Sequence, residues 1–472
     1  MRRMLSRQWR TRRRLSIDIP SWRTSLASAH TEMPTMLIEE ANVFVGEELT
    51  KANILIEDGK IKEISKLKPT SMTDSKIHAN RLIALPGLID AHVHLRDLEL
   101  SYKETFETGT QAAAAGGYTT VLDMPNTRPP TTTSGRLGEK FEQAEGRLYA
   151  NVAFQASLTT NETELSRMVK QGAIAFKLYL NKALQTFESS DQANLRAALE
   201  AAKKNQALVT VHAEDGDLIR QIQEASLHRG KTSVRDFLNA HPPIAEVAAV
   251  RRIVGLSTEI GVRIHICHIT LPASVKLVRS TPTASCEATA QHLLLNRNVF
   301  RKFGTLAICV PPIRTEEERK RLWKLFADGE VDILASDHAP HTLEEKTRTD
   351  AFQAASGVPG LETSLPLMFT QILRHRLSLR TFVEAAATRP AKLFHLTNKG
   401  TLQPGFDADI VLINPKAKST INPTRFLTKA KYTPFDGSRC TGRAAYTIVN
   451  GVLVAQDGKI VGPPAGVVTR AA

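Results

Sequence analysis

Residues 85–96 read Leu85-Pro86-Gly87-Leu88-Ile89-Asp90-Ala91-His92-Val93-His94-Leu95-Arg96. The stretch opens apolar and is punctuated by Pro86-Gly87, the pattern of a buried strand. It then carries His92, His94 and Arg96 at alternate positions, which share one face of an extended chain. Two imidazoles and a guanidinium are therefore expected side by side at the C-terminal end of that strand. Imidazole is a ready zinc ligand, and two on one strand can hold one ion. A lone His-x-His is as readily a core histidine beside an exposed one. What decides is whether ligand-type residues recur at the ends of other strands.

They do recur. Strand-like apolar runs at 88–96, 119–124, 150–158, 173–180, 208–214, 263–269, 284–294 and 332–339 alternate with amphipathic stretches such as 194–205 and 244–260. Eight strands with crossovers predict an α/β fold, a closed (β/α)8 TIM barrel, whose catalytic groups sit at the C-terminal strand ends. There the sequence places Lys177 in Phe176-Lys177-Leu178-Tyr179, His212 in Val211-His212-Ala213-Glu214, His268 in His265-Ile266-Cys267-His268, and Asp337 in Ser336-Asp337-His338. His92 and His94 would hold one zinc, and His212 and His268 a second. His265 is the alternative on its strand; its spacing from His268 lets only one of the two face inward. Asp337 is the carboxylate placed to accept and return a proton, and it also stands as a metal ligand.

Lys177 is the odd member. An ammonium beside two divalent cations is strongly repelled, so a lysine there must lose its charge. Carbon dioxide converts the neutral amine to a carbamate, an anion whose two oxygens can bridge two metals about 3.5–4 Å apart. The plainer reading pairs an inward Lys177 with Asp337 or Glu214.

The two ends of the chain carry short alternating runs with two-residue hairpin signals, Asp58-Gly59, Asn450-Gly451 and Asp457-Gly458. Neither set is large enough for its own core. Together they predict a small discontinuous β-sandwich, residues 36–86 and 397–465, around a barrel at 87–396. Residues 1–35 hold eight Arg against Asp18 and Glu32, a net +6 of the chain's +14. This basic extension reads either as an organellar transit peptide or as a start assigned upstream of Met36. The second is preferred, so the segment is expected to be disordered or absent from the mature protein, and the compartment cytoplasmic. The remaining positive charge forms no basic stripe with interleaved aromatics, which argues against nucleic acid. No apolar run approaches the roughly 18 residues of a membrane span. Four unclustered cysteines argue against a disulfide framework or a zinc ribbon.

These stretches resemble the amidohydrolase superfamily and, within it, the dihydroorotases. The resemblance runs from about residue 36 to about 464. It is carried by LPGLIDAHVHLRD (85–97), ETGTQAAAAGGYTTVLDMPNTRPPT (107–131), FKLYL (176–180), VHAE (211–214), HICH (265–268), ASDHAPHTLEEK (335–346), GVPGLETSLPL (357–367) and GFDADIVLIN (405–414). It implies reversible cyclisation of N-carbamoyl-L-aspartate to L-dihydroorotate in pyrimidine synthesis, on two zinc ions held by His92, His94, carboxylated Lys177, His212, His268 and Asp337. It further implies that Arg96, Asn126 and His341 hold the substrate carboxylate and that Gly357 belongs to a loop closing over the ring. A small-molecule substrate follows; a homo-oligomer and association with an aspartate transcarbamoylase are both compatible, and the sequence decides neither. Two positions depart from the pattern. Val310 stands where a polar residue is usual, with Arg314 as the candidate replacement, and Gln291-His292 keeps one of two adjacent histidines. Other cyclic amidases, namely dihydropyrimidinase, hydantoinase or allantoinase, share the metals and the fold; a non-catalytic barrel scaffold is the remaining alternative.

Overall fold

The computed structural model describes residues 35–182 and 186–471. The basic extension therefore lies outside the described residues, except for Thr35. Eight parallel strands form the barrel: β1 Leu88–Val93, β2 Tyr118–Asp123, β3 Asn151–Phe154 (continuing as Ala156–Ser157), β4 Phe176–Tyr179, β5 Val209–His212, β6 Ile264–Ile266, β7 Ala284–Thr289 and β8 Ile333–Ala335. Parallel pairing runs from β1 to β2 to β3 and on from β3 through β8. The ring closes where Val93 bridges His338 and the His94 amide donates to the His338 carbonyl at 2.8 Å.

Alternation along the strands explains both layers. In β5, Val209 and Val211 join the apolar layer against the helices, while Thr210 and His212 turn inward. In β7, Cys286 and Ala288 pack outward, and Glu287 points into the lumen. Each outward Val or Leu so buried stabilises the barrel by about 1.5–3 kcal/mol. The inner positions are left to polar side chains, which is what builds a site.

The expected helices are present with small shifts. The span 194–205 is the helix Gln192–Lys204, started by the Asp191 carboxylate accepting from the amides of Ala193 and Asn194. The span 244–260 is Pro243–Ile260, with Pro at its first turn and left-handed Gly261 (φ 73°) after its end. The run 284–294 is not one strand. It breaks at Thr289, whose side chain accepts from the His292 amide and starts a short helix, Ala290–Leu294.

Strands from the two chain ends join in one nine-stranded mixed sheet. Its seam is Ile410–Thr420 antiparallel to Ile83–Pro86. Asp58-Gly59, Asn450-Gly451 and Asp457-Gly458 all make the hairpin turns, each with two successive left-handed residues. The sheet encloses its own core of Ile38, Ile54, Ile56, Ile410, Leu412 and Ile448. Two strands had no clear sequence signal: Ser75–His78, beside Met36–Val45, and Val468–Thr469, which adds to β3.

Candidate active site

The C-terminal strand ends open into a cavity of about 380 Å³. His92, His94, Arg96, Asn126, Lys177, His212, His268, Asp337, His341 and Gly357 all line it. His265 does not. It lies deeper in the lumen, fully buried, with Nδ1 2.8 Å from Ser285 Oγ and Nε2 3.1 Å from Glu287 Oε2.

The backbone at the strand ends is locally forced. Asp90, buried in β1, accepts from the amides of His92 (3.2 Å) and Ser336 (3.0 Å), so it ties the His92 segment to the Asp337 segment. Regular strand geometry stops at Val93. Arg96, Asp97 and Leu98 adopt left-handed backbone (φ 60°, 44° and 51°), and so do His268 (35°) and Asp337 (46°). Arg96 therefore reaches the cavity through a turn and not by strand alternation. Asp123 at the end of β2 fixes that turn by accepting from the Leu95 amide (2.8 Å), and Asp97 accepts from the Phe106 amide (2.7 Å). Non-glycine residues held left-handed cost of order 1 kcal/mol or more each and concentrate at functional sites.

The imidazole tautomers follow from their outer partners. His92 Nδ1 donates to Glu287 Oε1 (2.6 Å) and His94 Nδ1 to Asn126 Oδ1 (2.6 Å). Both Nε2 lone pairs then face one carboxyl oxygen, Asp337 Oδ1, at 3.5 and 3.2 Å. Lone pairs meeting a carboxylate repel unless a cation stands among them. His92, His94 and Asp337 thus form a donor set suited to a metal. His212 Nε2 is held by Glu214 Oε2 (2.8 Å), which turns its Nδ1 toward His268 Nε2 at 3.0 Å; the buried His268 Nδ1 has no hydrogen-bond partner.

Electrostatics keep these rings neutral. Burial, with the Lys177 charge nearby, pulls His92 down to about 4. Burial and the Arg96 charge hold His94 well below the usual imidazole value, and burial with His212 does the same to His268. His212 is lowered by burial in spite of Glu214. Burial would raise Glu287, but His92 and His265 hold it well below the usual carboxylate range.

Lys177 is fully buried; its Nζ lies 2.9 Å from Cys267 Sγ and 5.2 Å from the Tyr179 ring centroid. Among the described residues it forms no ion pair, so the plainer pairing with Asp337 or Glu214 is not made. Arg96 is buried as well. Its Nε donates to the Pro340 carbonyl at 3.4 Å and its Nη2 lies 3.2 Å from His341 Nε2, again with no carboxylate partner among the described residues. Val310 lines the wall, but Arg314 does not stand in for it. That guanidinium is spent on Thr270 Oγ1 (2.9 Å), the His241 carbonyl (2.7 Å) and Glu246.

The match to known proteins follows the same strands. The amidohydrolase family pattern fits residues 83–454. The chain belongs to the amidohydrolase family. It is 36% identical over 421 residues to a dihydroorotase of Methanosphaera stadtmanae, covering 86% of this chain and 94% of that one. Identity to a dihydroorotase of Pyrococcus abyssi is 35% over 432 residues, 90% and 97% of the two chains. It is also 32% identical over 437 residues to an L-hydantoinase of Paenarthrobacter aurescens, covering 90% and 95%. Among solved structures, the L-hydantoinase of Arthrobacter aurescens superposes with a TM-score of 0.89 at 30% identity, covering 93% of this chain and all of that one.

Sequence reasoning passed over Glu287, the role of Glu214 as the His212 partner, and the lining residues Tyr179, Asn181, Lys182 and His241. Glu287 could have been found: a charged residue between Cys286 and Ala288 in a buried strand must face inward.

Proposed function

We propose that the protein is a dihydroorotase, interconverting N-carbamoyl-L-aspartate and L-dihydroorotate. The observation that carries this reading is Arg96: a buried guanidinium facing the cavity with no counter-anion among the described residues. Leaving a charge buried and unpaired costs several kcal/mol, so such a site is made for an anionic substrate. Arg offers a carboxylate two parallel N–H donors. Asn126 uses its Oδ1 on His94, which leaves its amide N–H groups to donate to the same carboxylate.

His92, His94 and Asp337 would hold one zinc and His212 and His268 a second, with Lys177 as the ligand shared by both. Carbon dioxide adds to the neutral Lys177 amine and one proton leaves, giving a carbamate anion; that Lys177 forms no ion pair among the described residues supports this. When bound, the metals supply a polarised carbonyl and a water of lowered pKa. Asp337 takes the proton released as water adds to the ring amide and returns it to the departing ring nitrogen. Cyclisation reverses this and starts with Asp337 protonated. Four buried cysteines without a disulfide support a reducing compartment, and we place the protein in the cytoplasm; no helix among the described residues is long and apolar enough to cross a membrane.

The neutral-ring alternative has two observations on its side. Val310 puts an apolar side chain on the cavity wall, and the chain is also similar to hydantoinases. The test uses two substrates that differ by one carboxylate. Zinc-loaded protein should cyclise N-carbamoyl-L-aspartate and leave N-carbamoyl-β-alanine alone; the opposite preference would reject the dihydroorotase reading.

A further inference from the structure

Lys346 closes the motif at 335–346 and has no part in the chemistry above. Its side chain is fully buried. Nζ donates to three backbone carbonyls, Ile308 (2.8 Å), Ala355 (2.8 Å) and Gly357 (3.0 Å), and stands 5.5 Å from the Tyr432 ring centroid. No carboxylate pairs with it among the described residues. Three carbonyl dipoles satisfy the three N–H groups of an ammonium, and they belong to two separate stretches of the cavity rim.

Those stretches frame the place expected for the substrate. Ile308 comes two residues before Val310, and Ala355 and Gly357 flank Ser356; Val310, Ser356 and Gly357 all line the cavity. The Ser356 carbonyl accepts from His341 Nε2 at 3.2 Å, and that ring sits against Arg96. The Gly357 carbonyl takes a second donor, Tyr432 Oη, at 3.1 Å, and its amide donates to the Ile308 carbonyl at 2.9 Å. Gly357 itself (φ 145°) lies so close to Ala339 that a Cβ would come within 2.6 Å of its Cβ and its oxygen.

We infer that Lys346, assisted by Tyr432, is a positioning residue: it locks the Ser356–Gly357 wall from behind, and through the Ser356 carbonyl it aims His341 at the substrate. The cause runs from the ammonium to the carbonyls on either side of Ser356, and from there to His341. Burial pushes the ammonium down to about 7, which is the cost of placing a cation there and a reason a neutral side chain would fill the space more cheaply if space were all it filled. The effect on substrate rests on the dihydroorotase reading; the effect on the wall does not.

Two variants test it, Lys346→Met and Tyr432→Phe, the second removing one donor from the Gly357 carbonyl without touching a charge. Hydrogen exchange reads the wall directly. Amides of 355–358 should exchange about tenfold faster or more in either folded variant, with 88–93 unchanged; equal exchange in Tyr432→Phe would overturn the proposal even where Lys346→Met fails to fold. Steady-state kinetics read the consequence. A misplacement of about 1 Å can cost on the order of 100-fold, and here it should appear as a KM for L-dihydroorotate raised about 10- to 100-fold with kcat changed far less. A loosened wall with KM unchanged, or a fall in kcat alone, would overturn the positioning role. Failure of the wild type to open L-dihydroorotate would reject the functional reading instead, and the exchange result would still judge the clamp.

Discussion

Replacing Arg96 with Met removes the cation while keeping a side chain of similar length. Among the described residues the buried Arg96 side chain meets the Pro340 carbonyl and His341, and His92 and His94 have other partners, Glu287 and Asn126, which the substitution leaves in place. On the proposed reading, what is lost is the pair of charge-assisted hydrogen bonds to the substrate carboxylate. Truncating one member of a buried, hydrogen-bonded charge pair costs about 2–5 kcal/mol. At 1.36 kcal/mol per decade that is roughly 30- to 5,000-fold in kcat/KM, expressed mainly in KM. The assay is ring opening of L-dihydroorotate followed by ultraviolet absorbance, with zinc content measured on the same sample. A KM within threefold of wild type, with zinc retained, would refute the role of Arg96 and with it the carboxylate clamp.

Replacing Asp337 with Asn should lower kcat about 10²- to 10⁴-fold, the usual range for a lost general acid–base, and wild-type cyclisation should slow as pH rises; a rate independent of pH would remove Asp337 from the proton step. Lys177→Ala should lose bound zinc and activity, and a short carboxylic acid in the buffer should restore part of both; carbon-13 bicarbonate should label the wild type at a carbamate resonance and not the variant. The metal-free protein should lose stability as pH falls from about 6.5 to 4. Burial lowers His92 and His292 from 6.5 to about 4, so below 6.5 the unfolded chain binds protons that the folded chain refuses. Each ring then removes up to about 3 kcal/mol of stability across that window, a contribution present in full only above it. Denaturant unfolding at pH 7.5 and 5 measures this, and equal stabilities would contradict it.

The barrel was legible because eight apolar runs alternate with amphipathic stretches and ligand-type residues recur at the C-terminal ends of five of them. The residues named there, with Arg96, Asn126, His341 and Gly357 from the resemblance, line one cavity. Hairpins were legible because Asp-Gly and Asn-Gly accept the left-handed backbone that tight turns require. What stayed hidden depends on contacts between distant segments. Arg314 could be proposed for the wall beside Val310 until its partners Thr270 and Glu246, 44 and 68 residues away, were visible. The turn at Arg96 rests on Asp123, 28 residues beyond Leu95. His268, chosen over His265 by the strand-end rule, lines the cavity and His265 does not, whereas Glu287, which holds both His92 and His265, had to be read from the lumen. Lys346 gave no sign in the sequence that three carbonyls would surround it.

Ring opening tests the central claim most directly. Zinc-loaded protein is offered L-dihydroorotate beside dihydrouracil, hydantoin and allantoin at equal concentration. Turnover of L-dihydroorotate at least 100-fold above the neutral rings is the expected result. Turnover of a neutral ring, with L-dihydroorotate untouched, would show that the buried Arg96 does not select a carboxylate and would contradict the proposed function.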